Sequence, residues 1–479
     1  MPTPSERPAF HFAPARNWMN DPNGLVWYDG EYHLFFQHNP LGSDWGNMSW
    51  GHAVSADLWH WEELPVALHF TETEHVFSGS VVVDHDNTSG LGRPDTPAMV
   101  AVYTSHAVGA GPVQAQSVAY SLDRGRTWER YRSNPVLDIG SADFRDPKVF
   151  WHDASGHWVM VVALAVERVV RLYRSADLLC WEHLSDFGPA GAVSDVWECP
   201  DLFPLTVDGD THDTRWVMLV SVQGGAPAGG SGMQYFVGDF DGRKFSAEPG
   251  PGADPLWVDH GADYYAAVSF GDAPDGRRLA LGWMSNWEYA ADVPAADHRG
   301  TMALPRALAL HTVEGVPRLV QRPVLPVLPV THSEGPRPVE PGVHAVNPDA
   351  QGRHLEVVVE LEPASALACG VVVRQGEHER TVVGYDATTG EIFLDRTASG
   401  DTSFHPAFAA VHRAPATVRE GVVRLQVVVD STSVEVFGDG GAVVLSDQVF
   451  PRAGSEGLAL FADGGTARLR SLRVTRLAD

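Results

Sequence analysis

Residues 20–36 read NDPNGLVWYDGEYHLFF, and the same layout returns in RDPKVFWHDASGHWVMVV at 145–162 and in ECPDLFPLTVDGDTHDTRWVMLV at 198–220. Each stretch begins with polar or acidic residues and a proline, and then continues as an apolar strand. A turn rich in aspartate and glycine leads into a second apolar strand. The three stretches therefore predict three copies of one strand–turn–strand unit.

Two looser copies of the unit lie at 78–103 and 263–283. The chain also has 15 tryptophans and 47 glycines, and it has no long segment of helical period. Five sheet units spaced about 50–70 residues apart predict a five-bladed β-propeller over residues 1–304, although repetition alone leaves a sandwich of similar size open.

The composition changes after residue 304. Six prolines between 323 and 341 indicate a domain connection, which we assign to residues 305–341. Alternating apolar and polar residues follow, and this period-two pattern predicts an antiparallel β-sandwich over residues 342–479. The predicted fold is thus all-β: a five-bladed β-propeller followed by an antiparallel β-sandwich.

The charge balance argues against several classes of partner. Acidic residues outnumber basic residues by 61 to 34, for a formal net charge of −27. A chain this acidic repels phosphate backbones and anionic lipids, so we expect no nucleic-acid partner and no membrane partner. The three cysteines show neither a disulfide framework nor zinc-ligand spacing. Nothing in the pattern indicates an oligomeric state.

The longest apolar run, Trp158–Val166, is too short to cross a bilayer. Residues 1–8 lack the apolar stretch of a secretion signal. We therefore expect a cytoplasmic protein, or a secreted one if Met1 stands in place of a removed leader.

Three acidic side chains stand at the start of repeated units: Asp21, Asp146 and Glu198. The innermost strands of propeller blades face the central axis, so we expect equivalent positions to converge there and the three carboxyls to share one funnel. Like charges in a cleft are costly and need an explanation. Metal binding is one explanation; the other is chemistry on a sugar acetal, which needs one ionised and one protonated carboxyl.

Three unusual strings occur in matching order: WMNDPNG at 18–24, FRDP at 144–147 and WECP at 197–200. With them the chain closely resembles glycoside hydrolase family 32, which contains invertases, levanases, inulinases and related fructosyltransferases. Further matching strings are FFQHNP at 35–40, WGNMSWGH at 45–52, FSGS at 77–80, NWEYA at 286–290 and LQVVVDSTSVEVF at 425–437. The resemblance spans nearly the whole chain and implies no cofactor and no metal.

The resemblance implies a role for each acidic residue. Asp21 would be the nucleophile, Glu198 the acid/base and Asp146 a stabiliser of the transition state. In a retaining enzyme the nucleophile and the acid/base lie about 5–5.5 Å apart. Glu198 would have to hold its proton while Asp21 stays ionised. We expect Cys199 to tune Glu198 as a packed thiol, and Arg145 to balance the acidic charge.

Other residues resemble sugar-contacting positions, because amides and hydroxyls suit fructose hydroxyls and indoles pack on the apolar faces of sugars. The predicted substrate-binding residues are Asn20, Gln37, Trp45, Phe77, Ser78, Arg145, Tyr265 and Trp287. For Trp45 and Trp287 a core or spacer role is a close competitor, since the chain is rich in tryptophan.

The function that the resemblance implies is a retaining exo-acting β-fructosidase. Its substrates would be the terminal non-reducing β-D-fructofuranosyl residues of fructans, fructo-oligosaccharides and sucrose. One departure is His298-Arg299-Gly300, where the family often has Trp-Arg. Alternatives are a fructosyltransferase that forms difructose anhydrides or oligosaccharides, a non-catalytic sugar-binding propeller and, ranked lowest, a calcium-bridged trio.

Overall fold

A computed structural model describes residues 6–478 except 110, 112, 249, 251 and 419. Residues 1–5, on which part of the leader expectation rests, lie outside the described residues. Within the described ranges the chain forms 35 strands and three short 3₁₀ turns, at Pro274–Gly276, Pro348–Ala350 and Asp439–Gly441. None of the helical segments in the described ranges has the length and apolarity needed to span a membrane.

The first three blades are four-stranded antiparallel sheets in sequential order. Blade one contains β1 (Asn17–Tyr28), β2 (Glu31–Asn39), β3 (Ser49–Ser55) and β4 (Glu62–Leu68). Blade two contains β5 (Glu74–Asp84), β6 (Ala98–Ala107), β7 (Gln114–Ser121) and β8 (Glu129–Arg130). Blade three contains β9 (Phe144–His152), β10 (His157–Leu164), β11 (Val169–Ser175) and β12 (Glu182–Phe187).

The last two blades share one larger sheet. Blade four contains β13 (Trp197–Val207), β14 (Asp210–Val222), β15 (Gly232–Phe240), β16 (Phe245–Ala247) and β17 (Leu256–Trp257). Blade five contains β18 (Tyr265–Ser269), β19 (Arg278–Trp283), β21 (Arg306–Val313) and β22 (Val316–Pro323), while β20 (His298–Arg299) pairs in parallel with β1. The innermost strands β1, β5, β9, β13 and β18 contact one another in a closed ring, which completes the propeller.

Apolar side chains fill the spaces between blades. Val100 of blade two and Met160 of blade three belong to one buried cluster, and Phe36 of blade one packs with Leu281 of blade five in another. These strands are rich in β-branched and aromatic residues because both faces of each sheet are covered by neighbouring blades.

Each innermost strand carries a β-bulge at the same level, where two of its residues face one residue of the second strand. The bulge pairs are Asn20–Asp21, Phe77–Ser78, Asp146–Pro147, Cys199–Pro200 and Ala266–Ala267. In the last three blades the first bulge residue has a positive φ, of 67°, 47° and 53° in chain order. A bulge bends the strand and re-aims its side chains, so this ring of bulges builds the site.

The C-terminal sandwich consists of two antiparallel sheets. One sheet contains β23 (His332–Glu334), β24 (Arg337–Val339), β26 (Leu355–Glu362), β31 (Val423–Asp430), β32 (Ser433–Gly438), β33 (Val443–Gln448) and β35 (Ala467–Arg476). The other contains β25 (Gly342–Ala345), β27 (Ala368–Gln375), β28 (Arg380–Asp386), β29 (Glu391–Ala398), β30 (Val411–Pro415) and β34 (Gly457–Asp463). The inward-facing residues of both sheets form one apolar core, and the predicted fold of propeller plus sandwich is confirmed.

The structure differs from the proline-rich connection expected over 305–341. Strands β21 and β22 lie in that segment and complete blade five, so the propeller sheet continues to Pro323. Strand β22 carries Pro317 and Pro323 near its two ends, and these prolines made the segment resemble a connection between domains. Among the described strands β22 pairs with β21 alone, which makes it an edge strand, where proline is tolerated.

Candidate active site

The three predicted carboxylates meet around the thiol of Cys199. The Cys199 sulfur lies 3.6 Å from Oδ2 of Asp21 on β1 and 3.6 Å from Oδ2 of Asp146 on β9. Glu198 precedes this cysteine on β13, and its charge acts on both aspartates. The fold thus brings together side chains that are up to 177 positions apart in the sequence.

The prediction that the trio occupies equivalent repeat positions is wrong. Glu198 precedes the bulge of its strand, Asp146 is the first residue of its bulge and Asp21 is the second. The Asp-Pro dipeptides of blades one and three are therefore offset by one residue in the sheet register. Successive residues of a strand point to opposite sides of the sheet, and a bulge redirects the side chains beside it. The one-residue offset therefore changes the direction in which each of the three carboxyls points.

Asp21 is held by two donors, one on each carboxyl oxygen. Ser78 Oγ donates to Oδ2 at 2.6 Å, and Asn20 Nδ2 donates to Oδ1 at 2.9 Å. Trp18 Nε1 in turn donates to Asn20 Oδ1 at 2.7 Å, which orients the amide. Burial and the charge of Glu198 raise the pKa of Asp21, while the hydrogen bonds from Ser78 and Asn20 oppose that rise. The carboxyl is therefore fixed in orientation.

Asp146 is buried and sits at a strained backbone position with φ of 67°. Burial, followed by the charge of Glu198, raises the pKa of Asp146 to about 7, against the opposing effect of Arg145. Its Oδ2 accepts the backbone N–H of Cys199 at 3.0 Å, and its own N–H donates to Thr104 Oγ1 at 2.9 Å. These bonds tie β9 to β13 and β6 at the site.

Glu198 accepts one hydrogen bond on each oxygen. Arg145 Nε donates to Oε1 at 3.0 Å, and the Tyr265 hydroxyl donates to Oε2 at 2.7 Å. Burial and the charge of Glu198 raise the pKa of Tyr265 well above its usual value, so the phenol remains a donor. Arg145 Nη1 also lies 3.4 Å from Asp143 Oδ1. The guanidinium of Arg145 therefore places a positive charge between acidic side chains.

Cys199 remains a thiol in this setting. Burial, and then the charges of Asp146 and Asp21, raise the pKa of its sulfhydryl well above the usual value. The neutral S–H group has one proton, which can be donated weakly to either of the two aspartates that flank it.

The other predicted sugar contacts lie around this centre in different settings. Gln37 is buried and donates to the Val76 carbonyl at 3.1 Å. Phe77 is half-buried and Trp45 is 50% exposed. Their rings form a T-shaped pair with centroids 6.1 Å apart. Half-buried Trp287 packs on the Trp18 indole, and its own Nε1 has no hydrogen-bond partner within the described part of the chain.

Sequence reasoning missed several residues that support the site. Thr104 lies on a second strand and carries no motif, and Trp18 stood out in the sequence only as part of the string WMNDPNG around Asp21. His106 stacks on Phe77 with centroids 4.5 Å apart, and its Nδ1 is buried without a partner among the described residues. Only strand pairing brings these side chains to the site.

Across the described ranges, no group of three or more His, Cys, Asp or Glu side chains is arranged to hold a metal ion. The chemistry of the site is that of its carboxyls, one cation, one phenol and one thiol.

Two buried aspartates and a glutamate held by a cation and a phenol, at the axis of a propeller, define a glycoside hydrolase. The family model "Glycosyl hydrolases family 32 N-terminal domain" matches residues 11–323, and "Glycosyl hydrolases family 32 C terminal" matches residues 331–476. The chain belongs to glycoside hydrolase family 32, as its sequence motifs predict.

Named relatives are similar over most of the chain. A levanase of Bacillus subtilis (strain 168) is 48% identical, with 98% of this chain and 70% of the levanase covered. An extracellular exo-inulinase of Aspergillus awamori is 41% identical, with 96% of this chain and 92% of the exo-inulinase covered. The crystal structure of the exo-inulinase from Aspergillus awamori superposes with a TM-score of 0.93 at 39% identity, covering 100% of this chain and 99% of that one. The structure of a β-fructofuranosidase from Schwanniomyces occidentalis complexed with fructosyl-erythritol superposes with a TM-score of 0.89 at 31% identity, and the match covers 99% of this chain and 98% of that one.

Proposed function

We propose that this chain is a retaining exo-acting β-fructosidase that releases terminal non-reducing β-D-fructofuranosyl residues from fructans, fructo-oligosaccharides and sucrose. The observation that carries the proposal is the pairing of two differently held carboxyls around Cys199. Asp21 is oriented by Ser78 and Asn20, whereas Glu198 is held by Arg145 and Tyr265. Two carboxyls in distinct settings are what a retaining glycosidase needs.

The first step breaks the glycosidic bond. The Asp21 carboxylate attacks the anomeric carbon of the fructosyl unit while Glu198 gives its proton to the departing oxygen. Asp146 accepts hydrogen bonds from sugar hydroxyls, and these tighten as positive charge develops on the ring. The product of this step is a fructosyl ester of Asp21 and a free leaving sugar.

The second step hydrolyses the ester. Glu198, now ionised, takes a proton from a water molecule, whose oxygen attacks the anomeric carbon. The bond to Asp21 breaks, fructose leaves with the β configuration, and Glu198 is again protonated. Half-buried Trp287 supplies an apolar face for the sugar.

A product time course on sucrose, inulin and levan tests the proposal. Free fructose should be the first and dominant product from each substrate that is turned over, and NMR should show the β anomer before mutarotation. A first product of the α anomer would refute the retaining mechanism. Oligomers or difructose anhydrides in excess over fructose at high sucrose would support the fructosyltransferase instead.

Substitution of the two carboxyls tests the roles of the residues. Asp21→Asn and Glu198→Gln should each lower kcat by about 10³-fold or more, since each removes a partner in bond cleavage. Asp153→Asn is the matched control, because Asp153 is an exposed aspartate in the turn between β9 and β10. Turnover that survives Asp21→Asn would contradict the covalent mechanism. Sugar binding without turnover in the unsubstituted chain would favour the non-catalytic propeller.

A further inference from the structure

A buried arginine of the sandwich holds the propeller segment that leads into the site. Arg396 on β29 is fully buried, and its Nη1 donates to Asp263 Oδ2 at 2.6 Å. Its Nε donates to the Phe408 carbonyl at 2.7 Å, and its guanidinium lies 3.9 Å above the Phe408 ring. Nη2 donates to the Tyr289 hydroxyl at 2.9 Å. All three nitrogens are therefore engaged, and the direction of the group is fixed.

Asp263 is bound from the sandwich at several points. Its Oδ2 also accepts the backbone N–H of Gln448 at 2.8 Å, and its own N–H donates to the Ser446 carbonyl at 2.9 Å. The Tyr289 hydroxyl donates to Asp263 Oδ1 at 2.7 Å. Strand β33 and Arg396 thus clamp this residue in both its backbone and its side chain.

The next residue, Tyr264, is clamped by a second buried arginine. The Arg306 guanidinium lies 3.6 Å from the centre of the Tyr264 ring. Arg306 Nη1 donates to Asp259 Oδ2 at 3.0 Å, and Nη2 donates to Glu435 Oε2 of the sandwich at 2.8 Å. Two consecutive propeller residues are therefore fixed by contacts that reach into the second domain.

The residue after these two is Tyr265, whose hydroxyl donates to Glu198 at 2.7 Å. Ala266, which follows, is the bulge residue with φ of 53°. The clamp at Asp263 is separated from Tyr265 by one residue, and the bulge adjoins Tyr265 on the other side. Planar peptide units leave only φ and ψ free at each residue, so a displacement of Asp263 is passed to Tyr265 through the torsions of very few residues.

We propose that Arg396 is a positioning residue, through which the sandwich domain holds Tyr265 against Glu198. The inference rests on the proposed function, in which Glu198 is the acid/base. A shift of about 1 Å in a supporting group can lower turnover about 10²-fold, so loosening this clamp should reduce kcat. The sandwich then contributes to catalysis through the position of Tyr265.

The same arginine supports the segment that carries Trp287. Tyr289 lies two residues after Trp287 and is bonded to both Arg396 and Asp263. Loss of the clamp should therefore also raise KM, since Trp287 is a predicted sugar contact. The rise in KM does not depend on Tyr265, so it can be measured separately from the loss of kcat.

A double-mutant cycle with Arg396→Lys and Tyr265→Phe tests the proposal. Lysine keeps the charge but cannot make the set of bonds that the guanidinium makes. We expect Arg396→Lys to lower kcat about tenfold in the unsubstituted chain and less than about twofold in the Tyr265→Phe background. An equal loss of kcat in both backgrounds would overturn the proposal.

Arg374→Lys is the matched control, because Arg374 is also buried on a strand of the same sheet, and it donates to two carbonyls of the sandwich, those of Asp430 and Arg452. It should lower Tm without lowering kcat per folded molecule. The proposal fails if Arg396→Lys behaves in the same way. If Arg396→Lys does not fold, Tyr289→Phe keeps every charge and takes its place in the cycle, with the same criteria.

The unsubstituted chain distinguishes this inference from the proposed function. If it releases fructose and Glu198→Gln abolishes that release, the function stands whatever the cycle shows. If Arg396→Lys lowers kcat of such an enzyme equally with and without Tyr265→Phe, only the positioning role of Arg396 is refuted.

Discussion

The hydroxyl of Ser78 shows how one side chain can take a role other than the one its motif suggests. The FSGS string indicates a sugar contact, yet Ser78 Oγ donates to the Asp21 carboxyl at 2.6 Å. It comes from the bulge of the neighbouring blade, at the same bulge position as Asp21. A short bond to an ionised acceptor orients the acceptor, so Ser78 serves the nucleophile.

Ser78→Ala should therefore lower kcat more than it raises KM. A hydrogen bond to a charged group contributes about 1.5–3 kcal/mol, which corresponds to a loss of roughly 10–100-fold in rate. Steady-state kinetics on sucrose measure both parameters. If Ser78 binds the sugar instead, KM will rise and kcat will stay nearly constant.

The titration of Asp146 leads to a prediction about stability. Its pKa is about 7 in the folded chain and near 3.8 in the unfolded chain, so the folded state binds the extra proton between these values. The contribution of this carboxyl to the free energy of unfolding is then fully present below about pH 4 and is lost as pH rises through about 7.

Asp146→Asn should remove this pH dependence. The variant should gain about 4 kcal/mol of stability relative to the unsubstituted chain at pH 8, and little at pH 4, because asparagine has no charge to bury. Denaturant unfolding at both pH values, with Asp153→Asn as the control, measures the difference. A gain that is the same at both pH values would contradict the titration argument.

At the scale of strands, the ring of bulges depends on close backbone approach. Gly79 follows the bulge of β5, and a Cβ atom there would overlap the Val102 carbonyl oxygen and lie 2.7 Å from the Tyr103 Cα. Its N–H donates to Asn23 Oδ1 at 3.1 Å, which ties blade two to blade one. Glycine at 79 is therefore required by packing between β5 and β6, and its φ is not positive.

Gly79→Ala should destabilise the protein by about 1–3 kcal/mol or more, the usual cost of overpacking. It should also lower kcat, because the strand that would move carries Ser78. Gly335→Ala is the control, since nothing lies within 4 Å of a Cβ at Gly335 and its φ is not positive. Thermal melts that show equal losses for the two variants would contradict this reading of the packing.

At the scale of the whole molecule, the propeller and sandwich are joined by buried charges. Imidazole nitrogens of His11 lie 2.7 Å from Asp430 and 2.9 Å from Glu435, both on sandwich strands. Burial lowers the pKa of His11, but the bonds to Asp430 and Glu435 outweigh it and raise the pKa to about 9. Burial likewise raises the pKa of Asp430, yet the bond from His11 prevails and lowers it to about 2.

His11→Asn should destabilise the protein by about 3–5 kcal/mol at pH 6, because buried Asp430 loses the cation bonded to it and buried Glu435 keeps only Arg306. The His11 contribution is complete below its unfolded pKa of about 6.5 and is lost as pH rises through about 9. The gap in stability between the two chains should therefore narrow from pH 6 to pH 9. Denaturant titrations at these pH values, with the exposed His60→Asn as control, measure it; a constant gap would refute the assignment.

The sequence alone predicted the β-strand units, the order of propeller and sandwich, and three acidic residues that the fold brings together. Strand alternation and Asp-Gly turns are local patterns, and the strings around Asp21, Asp146 and Glu198 are unusual enough to name a family. The end of the propeller was misjudged because β22 contains prolines at an edge that no sequence pattern marks as an edge.

Only the tertiary structure decided the register of the trio and the support behind it. The bulges offset the three carboxyls by one residue each, and a bulge exists only in the pairing of two strands. Thr104 bonds the Asp146 N–H from a strand of another blade, whereas Arg306 and Arg396 contact Tyr264 and Asp263, which precede Tyr265 in the chain. Local sequence specifies which strands form, whereas contacts between distant strands depend on how the sheets pack around one another.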